Sequence, residues 1–363
     1  MFDLTLQLIG EGVGIAYPCA AVAIGRGHAV FAREFMGKRQ TEPAEIPLTE
    51  DTLFDIASLS KLVATTMIAL KFIDSKKISL YDRVGSFFDN AGNFADCRIF
   101  DLLTHTSGIQ PGIPLYDGRY KNEDPCRVIL DSERCCETGK EVFYSCMGYI
   151  LLGRILEKVG GEPLDKLAEK YVFSPLGMQT ACYNPKKGMP VAATEKYAAT
   201  GEWATGHVHD ENAYFLGGVS GNAGVFASLD DMIAFAGMCS SFGMAKSGER
   251  FISKELFTLA ISNHSEGKAD SRGLGFQLKG NSDFPMGSLL PVGSYGHTGF
   301  TGTSLYVDRK TGLWGVLLTN AVHYGREKRE KYFELRKCFY DSMVKEFGMM
   351  AFYTQAPDQC HRF

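Results

Sequence analysis

FDIASLSKLVATT, residues Phe54–Thr66, sets two serines and a lysine between a short apolar stretch and an apolar helical pattern. Leu53-Phe54-Asp55-Ile56 suits a strand. Leu62, Met67, Leu70 and Ile73 then recur at helical spacing, so the pattern predicts a strand, a turn and a helix, with Ser58 at or near the N-cap. A capping serine is the plain structural reading of that position. Lys61 argues for more. Residues three apart share a helix face, so its ammonium would stand one turn above the Ser58 hydroxyl, beside a helix N-terminus that disfavours a cation. Ser-x-x-Lys is a spacing in which lysine helps to activate a serine nucleophile, although the tetrapeptide alone also occurs by chance.

Bulk properties agree with an enzyme without requiring one. The chain of 363 residues is long enough for a large core, as one big domain or two lobes. A net charge of −4 and the lack of a long basic run argue against a nucleic-acid partner. No apolar run reaches about eighteen residues, so no membrane span is expected. The start, MFDLTLQLIGEGVGIAYP, is acidic and has no Lys or Arg before Arg26, unlike a signal peptide. That favours the cytoplasm, unless the chain lacks an export leader. Ten cysteines, Cys135 and Cys136 adjacent among them, show neither a zinc spacing nor a disulfide framework, so reduced and mostly buried thiols are expected.

Ala20–Ile24 and Ala29–Glu34 flank Gly25-Arg26-Gly27 and read as a β-hairpin. Thr303–Val307 and Leu313–Thr319 flank Asp308-Arg309-Lys310-Thr311-Gly312 and read as another, before a charged helix around Glu327–Phe347. Mainly helical patterns lie between. The expected organisation is an α/β lobe made of residues 1–75 and 231–363, with residues 76–230 inserted as a mainly helical lobe.

Two more segments carry chemical residues. In EVFYSCMGYILLGRILEKVGG, Leu151, Leu152, Ile155, Leu156 and Val159 form a helical stripe ending at Gly160-Gly161, with Tyr144 and Ser145 just before it. In YGHTGFTGTSLYVD, His297-Thr298-Gly299 enters a strand, with glycines that let a backbone approach a ligand. Taken singly, these read as a tyrosine stapling a helix start and a glycine-rich turn.

Their order, together with DLLTHTSGI at Asp101–Ile109 and SPLGM at Ser174–Met178, resembles the serine β-lactamase and penicillin-binding-protein superfamily. Within it, the likeness is to class C β-lactamases, D,D-peptidases and family VIII carboxylesterases, from about Pro18 to Phe347. VHDENAYFLGGVSGNAGVFASLDDM, Val208–Met232, resembles a subgroup. The resemblance implies an α/β fold of the β-lactamase/transpeptidase type: an antiparallel sheet flanked by helices, plus a mainly helical lobe. It implies that Ser58 is the acylated nucleophile, Lys61 its partner, Tyr144 the general base or proton shuttle, and Ser60 a filler. The N–H groups of Ser58 and Phe300 would form the oxyanion hole, with His297 and Thr298 meeting the substrate carboxylate or ester side and Gly299 beside them. No cofactor or metal is implied, the partner is a small-molecule substrate, and the oligomeric state stays open. Free Tyr and Lys titrate near ~10 and ~10.4, so either must be lowered to act as a base near neutrality. A cation about 4 Å from a phenolate supplies on the order of 4 kcal/mol at an effective dielectric near ~20.

Lys310-Thr311-Gly312 spells a motif often quoted for this superfamily, but Asp308 and Gly312 mark it as a hairpin turn. Histidine in place of lysine at His297-Thr298-Gly299 removes a permanent charge and weakens any demand for an anionic substrate group. His207, His209, Asp210 and Glu211 invite a zinc reading, against which a loop hydrogen-bonded within itself at the cleft rim is the preferred role. At the third position of Tyr-x-Asn the chain has Cys146, whose thiol is a weak donor and acceptor where an amide is a good one. As a small apolar group it could instead face the core. The function expected is a serine hydrolase for small esters, β-lactams or D-amino-acid peptides and amides. A protein of the same fold that only binds penicillin or peptidoglycan fragments is the alternative.

Overall fold

The computed structural model describes residues 2–120, 122–196, 201–327 and 329–355. Its main sheet has seven strands: β1 Cys19–Arg26, β2 Ala29–Gln40, β3 Ile46–Pro47, β7 Gln277–Leu278, β8 Tyr295–Thr298, β9 Thr303–Val307 and β10 Leu313–Thr319. Every pairing is antiparallel, in the order β3-β2-β1-β10-β9-β8-β7, so the two chain ends meet where β1 runs against β10. Both expected hairpins form, the first with longer strands and a register shift at Ile24/Gly25.

β1 and β10 are apolar along nearly their whole length because both faces of the sheet are covered. Alternate residues divide the burial. Ala21, Ala23, Val316 and Leu318 pack into the larger core with the helix Leu229–Ser240. Ala20, Val22, Ile24 and Leu317 pack into a second core with Phe339, Tyr340 and Met343 of the C-terminal helix Glu330–Gln355. That helix starts after the expected Glu327, and Lys328 lies outside the described residues. The N-terminal helix Asp3–Gly12 adds to this layer, its Thr5 hydroxyl held by Glu346 at 2.5 Å.

A second sheet, β4 Phe54–Asp55, β5 Cys182–Tyr183 and β6 Val225–Ala227, has β6 in the middle. It ties the turn ahead of Ser58 to the segment after Asn222. The helix at Ser58 departs from expectation. Helical structure begins at Leu59, but Lys61–Thr66 winds as a π-helix before the α-helix Met67–Asp74 takes over. Here Thr65 Oγ1 donates to Gly221 O at 2.7 Å, which secures the wide turn to the glycine-rich segment; such turns gather at functional sites.

The nine described cysteines are free, with only Cys19, Cys97, Cys126 and Cys239 buried, while Cys135 and Cys338 are exposed. The expectation of mostly buried thiols therefore fails, because several stand on loops and on the outer face of the last helix. Cys360 lies outside the described residues. None of the described helices is long and apolar enough to cross a membrane.

Candidate active site

Ser58 stands where the chain turns from β4 into the helix, and the turn is strained. Ala57 has φ +46°, a left-handed conformation that costs an L-residue roughly 1–2 kcal/mol. Asp55 holds it: its buried carboxylate accepts from Ala57 N–H at 2.8 Å and from His209 N–H at 2.7 Å. Burial pushes the Asp55 carboxyl above the ordinary range, and those two donors pull it back in part.

Lys61 is completely buried. Its Nζ donates to Ser58 Oγ at 3.0 Å and to Asn222 O at 2.9 Å, and lies 3.4 Å from Cys146 Sγ. Burial works against the ammonium, while the negative charge available on Cys146, Tyr144 and Asp210 works for it, and the balance raises Lys61 above its ordinary value. Lys61 is therefore a cation at neutral pH. Ser60 is no filler, since its hydroxyl accepts from Val225 N–H at 3.0 Å and binds the helix to β6.

Tyr144 reaches the same spot from the residue before the Ser145 N-cap of the helix Cys146–Gly160. Among the described residues its buried hydroxyl meets no partner at full hydrogen-bond geometry, yet it lies close enough to Lys61 to favour the ammonium by charge and by a hydrogen-bonding contact, with the ring centroid 5.0 Å from Nζ. His105 lies against that ring at 4.6 Å, and its Nδ1 accepts from Ser145 N–H at 3.1 Å. Burial, then the nearby Arg272 and Lys61 charges, hold His105 well below the usual histidine range, so it is a neutral acceptor. Cys146 is the first residue of the helix, and its thiol faces Lys61 rather than lying wholly in the core.

On the other wall, β8 carries His297 and Thr298 into the cleft. His297 Nδ1 lies 2.7 Å from Thr298 O; a carbonyl only accepts, so Nδ1 carries the proton and the unpartnered Nε2 is left as an acceptor. Burial, with Arg272 and Lys61 close by, holds His297 down at about 3. Gly299 is required by close approach, because a Cβ there would meet Thr303 Oγ1 at 2.1 Å and Ile56 O at 2.3 Å. Among the described residues, neither the Ser58 nor the Phe300 N–H donates to a protein acceptor, and both residues line the cleft. The cleft, about 230 Å³, thus brings together Ser58, Tyr144, His297, Thr298, Gly299 and Phe300, with Lys61 and Cys146 behind Ser58.

Reasoning from sequence missed Asp55, His105, Asn222 and Arg272. Three of them lie in stretches quoted above without a role. Asn222 both receives Lys61 on its carbonyl and fixes the loop through Ser220 and Asp210, at 2.7 and 3.1 Å. Arg272 lies over the Tyr144 ring at 5.3 Å and pairs with Asp270 through Nε at 2.8 Å. It restores a positive charge to a cleft whose histidine is neutral. The zinc candidates diverge: His209 bonds Glu195 at 2.8 Å, Asp210 caps the helix Glu211–Phe215, and Glu211 pairs with Arg326. Lys310 and Thr311 sit in the Asp308-capped turn, away from the cleft residues.

The Beta-lactamase family model matches residues 7–337, and the chain belongs to that family of hydrolase-type enzymes. Among curated proteins, N-acetylmuramyl-L-alanine amidase of Bacillus subtilis (strain 168) is 28% identical over 87% of this chain and 80% of its own length. A protein of Escherichia coli (strain K12) with the provisional name D-alanyl-D-alanine carboxypeptidase is also 28% identical, over 87% of this chain and 81% of its own. Among solved structures, EstCE1, a hydrolase with promiscuous acyltransferase activity, superposes with a TM-score of 0.74 at 20% identity, covering 94% and 98% of the two chains. A penicillin-binding protein homologue from Caulobacter crescentus gives 0.73 at 17%, covering 94% and 97%. The mixed fold with its large antiparallel sheet is that of these neighbours.

Proposed function

We propose that the protein is a serine hydrolase that forms an acyl-enzyme on Ser58 and passes the acyl group to water. The observation that carries this reading is the 3.0 Å bond from the buried Lys61 ammonium to Ser58 Oγ, beside the buried Tyr144 hydroxyl that also supports the Lys61 charge. A cation already donating to Ser58 cannot be its base, so the proton work falls to Tyr144. Ser58 Oγ bonds to the acyl carbon, and its proton passes to Tyr144 Oη as the Tyr144 proton passes to the leaving oxygen or nitrogen, whose bond to carbon breaks. Water then repeats the sequence in reverse and restores the Ser58 hydroxyl. Lys61 favours the negative charge that develops on both oxygens, and the N–H groups of Ser58 and Phe300 receive the carbonyl oxyanion.

Substrate candidates are small esters, β-lactams, and D-amino-acid peptides or amides. The names of the two curated relatives favour an amide or peptide linkage, and that of EstCE1 an ester. Retention of Ser58, Lys61 and Tyr144 together counts against a pure binding protein, which has no use for the set. Intact-mass analysis after incubation with a fluorophosphonate, followed by peptide mapping, tests the reading: the adduct belongs on Ser58. Ser60 is occupied by Val225 N–H, and Ser145 caps its helix and donates to Gln110 O. Labelling that survives Ser58→Ala sinks the assignment.

A further inference from the structure

His209, Asp210 and Glu211 are consecutive, yet each holds a different segment. Asp210 accepts from Asn222 Nδ2 at 3.1 Å, and Asn222 O in turn receives Lys61. Glu211 pairs with Arg326. His209 touches the supports of both residues whose N–H groups face the reacting carbonyl. Its main-chain N–H donates to Asp55 at 2.7 Å, and the same carboxylate accepts from the N–H of Ala57, one residue before Ser58. Its ring stacks on that of Phe300, with the centroids 5.6 Å and the planes 22° apart.

The imidazole is held from its far side. His209 is 6% exposed, and its Nε2 lies 2.8 Å from Glu195. Burial works against the Glu195 carboxylate, but bonds from His209 and Arg326 outweigh it and hold the group down at about 2. An ionised carboxylate only accepts, so His209 Nε2 carries the proton. Arg326 fixes Glu195 in turn, through Nε at 3.0 Å and Nη2 at 2.6 Å. Phe300 depends on such a support, because it follows Gly299 in the turn between β8 and β9 and is 43% exposed. Burial therefore does little to fix its ring. The stack on His209 does so, together with Arg329, which bonds the Phe300 carbonyl and lies 3.9 Å over the ring.

Building on the serine-hydrolase reading above, with the Ser58 and Phe300 N–H groups as oxyanion donors, we propose that His209 is the positioning residue that sets the two donors at a fixed separation. Its main chain, through Asp55, holds the turn that presents Ser58. Its ring, oriented by Glu195, holds Phe300. The two N–H groups must meet one oxygen of the transition state at about 2.7–3.1 Å, so a donor free to drift loses much of its effect. His209 acts through Asp55 and Phe300, not by touching the acyl group.

Two acyl donors read this directly: p-nitrophenyl acetate and its thionoester, with sulfur in place of the carbonyl oxygen. Sulfur is larger and a weaker acceptor, so it fits a fixed pair of donors poorly, and the native protein should favour the oxygen ester by about 10²-fold in kcat/KM. His209→Ala keeps the main-chain bond to Asp55 and removes the ring. It should lower kcat/KM for the oxygen ester by about 10-fold, mostly in kcat, and for the thionoester by less than about 3-fold. A fold that is merely loosened would lower both together. His209→Phe, which keeps a flat ring against Phe300, should recover most of the oxygen preference. Phe300→Ala removes the other half of the stack, so adding His209→Ala to it should cost less than about 2-fold more. Glu195→Gln should narrow the preference by about 3-fold, and decides the matter if His209→Ala melts below the assay temperature. A folded variant of either kind with the native ester-to-thionoester ratio, or losses in His209→Ala and Phe300→Ala that multiply, would overturn the proposal. If p-nitrophenyl acetate turnover disappears in Ser58→Ala while that ratio stays native in the other variants, the serine reading stands and only this proposal falls. Turnover that persists in Ser58→Ala removes both.

Discussion

Replacing Lys61 by methionine removes one charge and little volume from a fully buried position. The Nζ lies 3.0 Å from Ser58 Oγ. At about that distance and an effective dielectric near ~20, a full charge stabilises an opposite one by on the order of 5 kcal/mol. The transition state holds part of that charge on Oγ and part on the Tyr144 oxygen; half of the full effect is about 2–3 kcal/mol, or roughly 10²-fold in rate. The cost to the fold is smaller. Asn222 O loses its donor, worth about 1–3 kcal/mol, and this is offset because an ammonium no longer has to be buried. The melting temperature should therefore fall by less than about 5 °C, while kcat/KM for p-nitrophenyl acetate falls by about 10²-fold or more. Adding Tyr144→Phe should cost far less than the product of the two single losses, since both residues act on one proton transfer. The assay is steady-state hydrolysis beside a thermal melt. A folded Lys61→Met protein within about 3-fold of the native kcat/KM would refute the reasoning.

Cys146→Asn puts an amide where the native thiol stands 3.4 Å from the Lys61 ammonium; it should improve penicillin and D-Ala-D-Ala turnover relative to a p-nitrophenyl ester by about 10-fold, and an unchanged ester-to-lactam ratio counts against this position as a selector. Ala57→Gly relieves a φ of +46°, so the melting temperature should hold or rise, by up to about 1 kcal/mol in stability; a clear loss of stability would show that the turn is not strained. His297 takes up a proton near ~6.5 when unfolded but at about 3 in the fold, so between those values the unfolded chain binds more protons and stability falls as pH falls. By about pH 5 its share of the loss is about 2 kcal/mol. Melting curves from about pH 8 to 4 should slope less in His297→Asn than in the native protein, and equal slopes contradict a buried neutral imidazole.

Local pattern carried much of the architecture. Both outer hairpins and the Cys146–Gly160 helix, with Gly161 at φ +71° closing it, follow from strand propensity, turn residues and helical spacing, which are properties of neighbours in the chain. The order of Ser58-x-x-Lys61, Tyr144 and His297-Thr298-Gly299 carried the family. The N-terminal helix was not read, because its burial comes from packing on the last helix at the opposite end of the chain.

The chemistry of the cleft was decided at longer range. Spacing alone places Lys61 one turn from Ser58, but its charge state rests on Asn222, Cys146 and Tyr144, held in place by two other segments. The neutrality of His297 comes from burial and from Arg272 and Lys61, which lie 25 and 236 positions before it in the chain. Arg336 shows the same limit. In sequence it is one more cation on a charged helix, and only the fold buries it and sets its guanidinium against the rings of Phe284, Tyr332 and Phe333. Periodicity reports which face of an element is apolar; desolvation and Coulomb effects depend on what the whole chain packs around a charge, and no local window contains that.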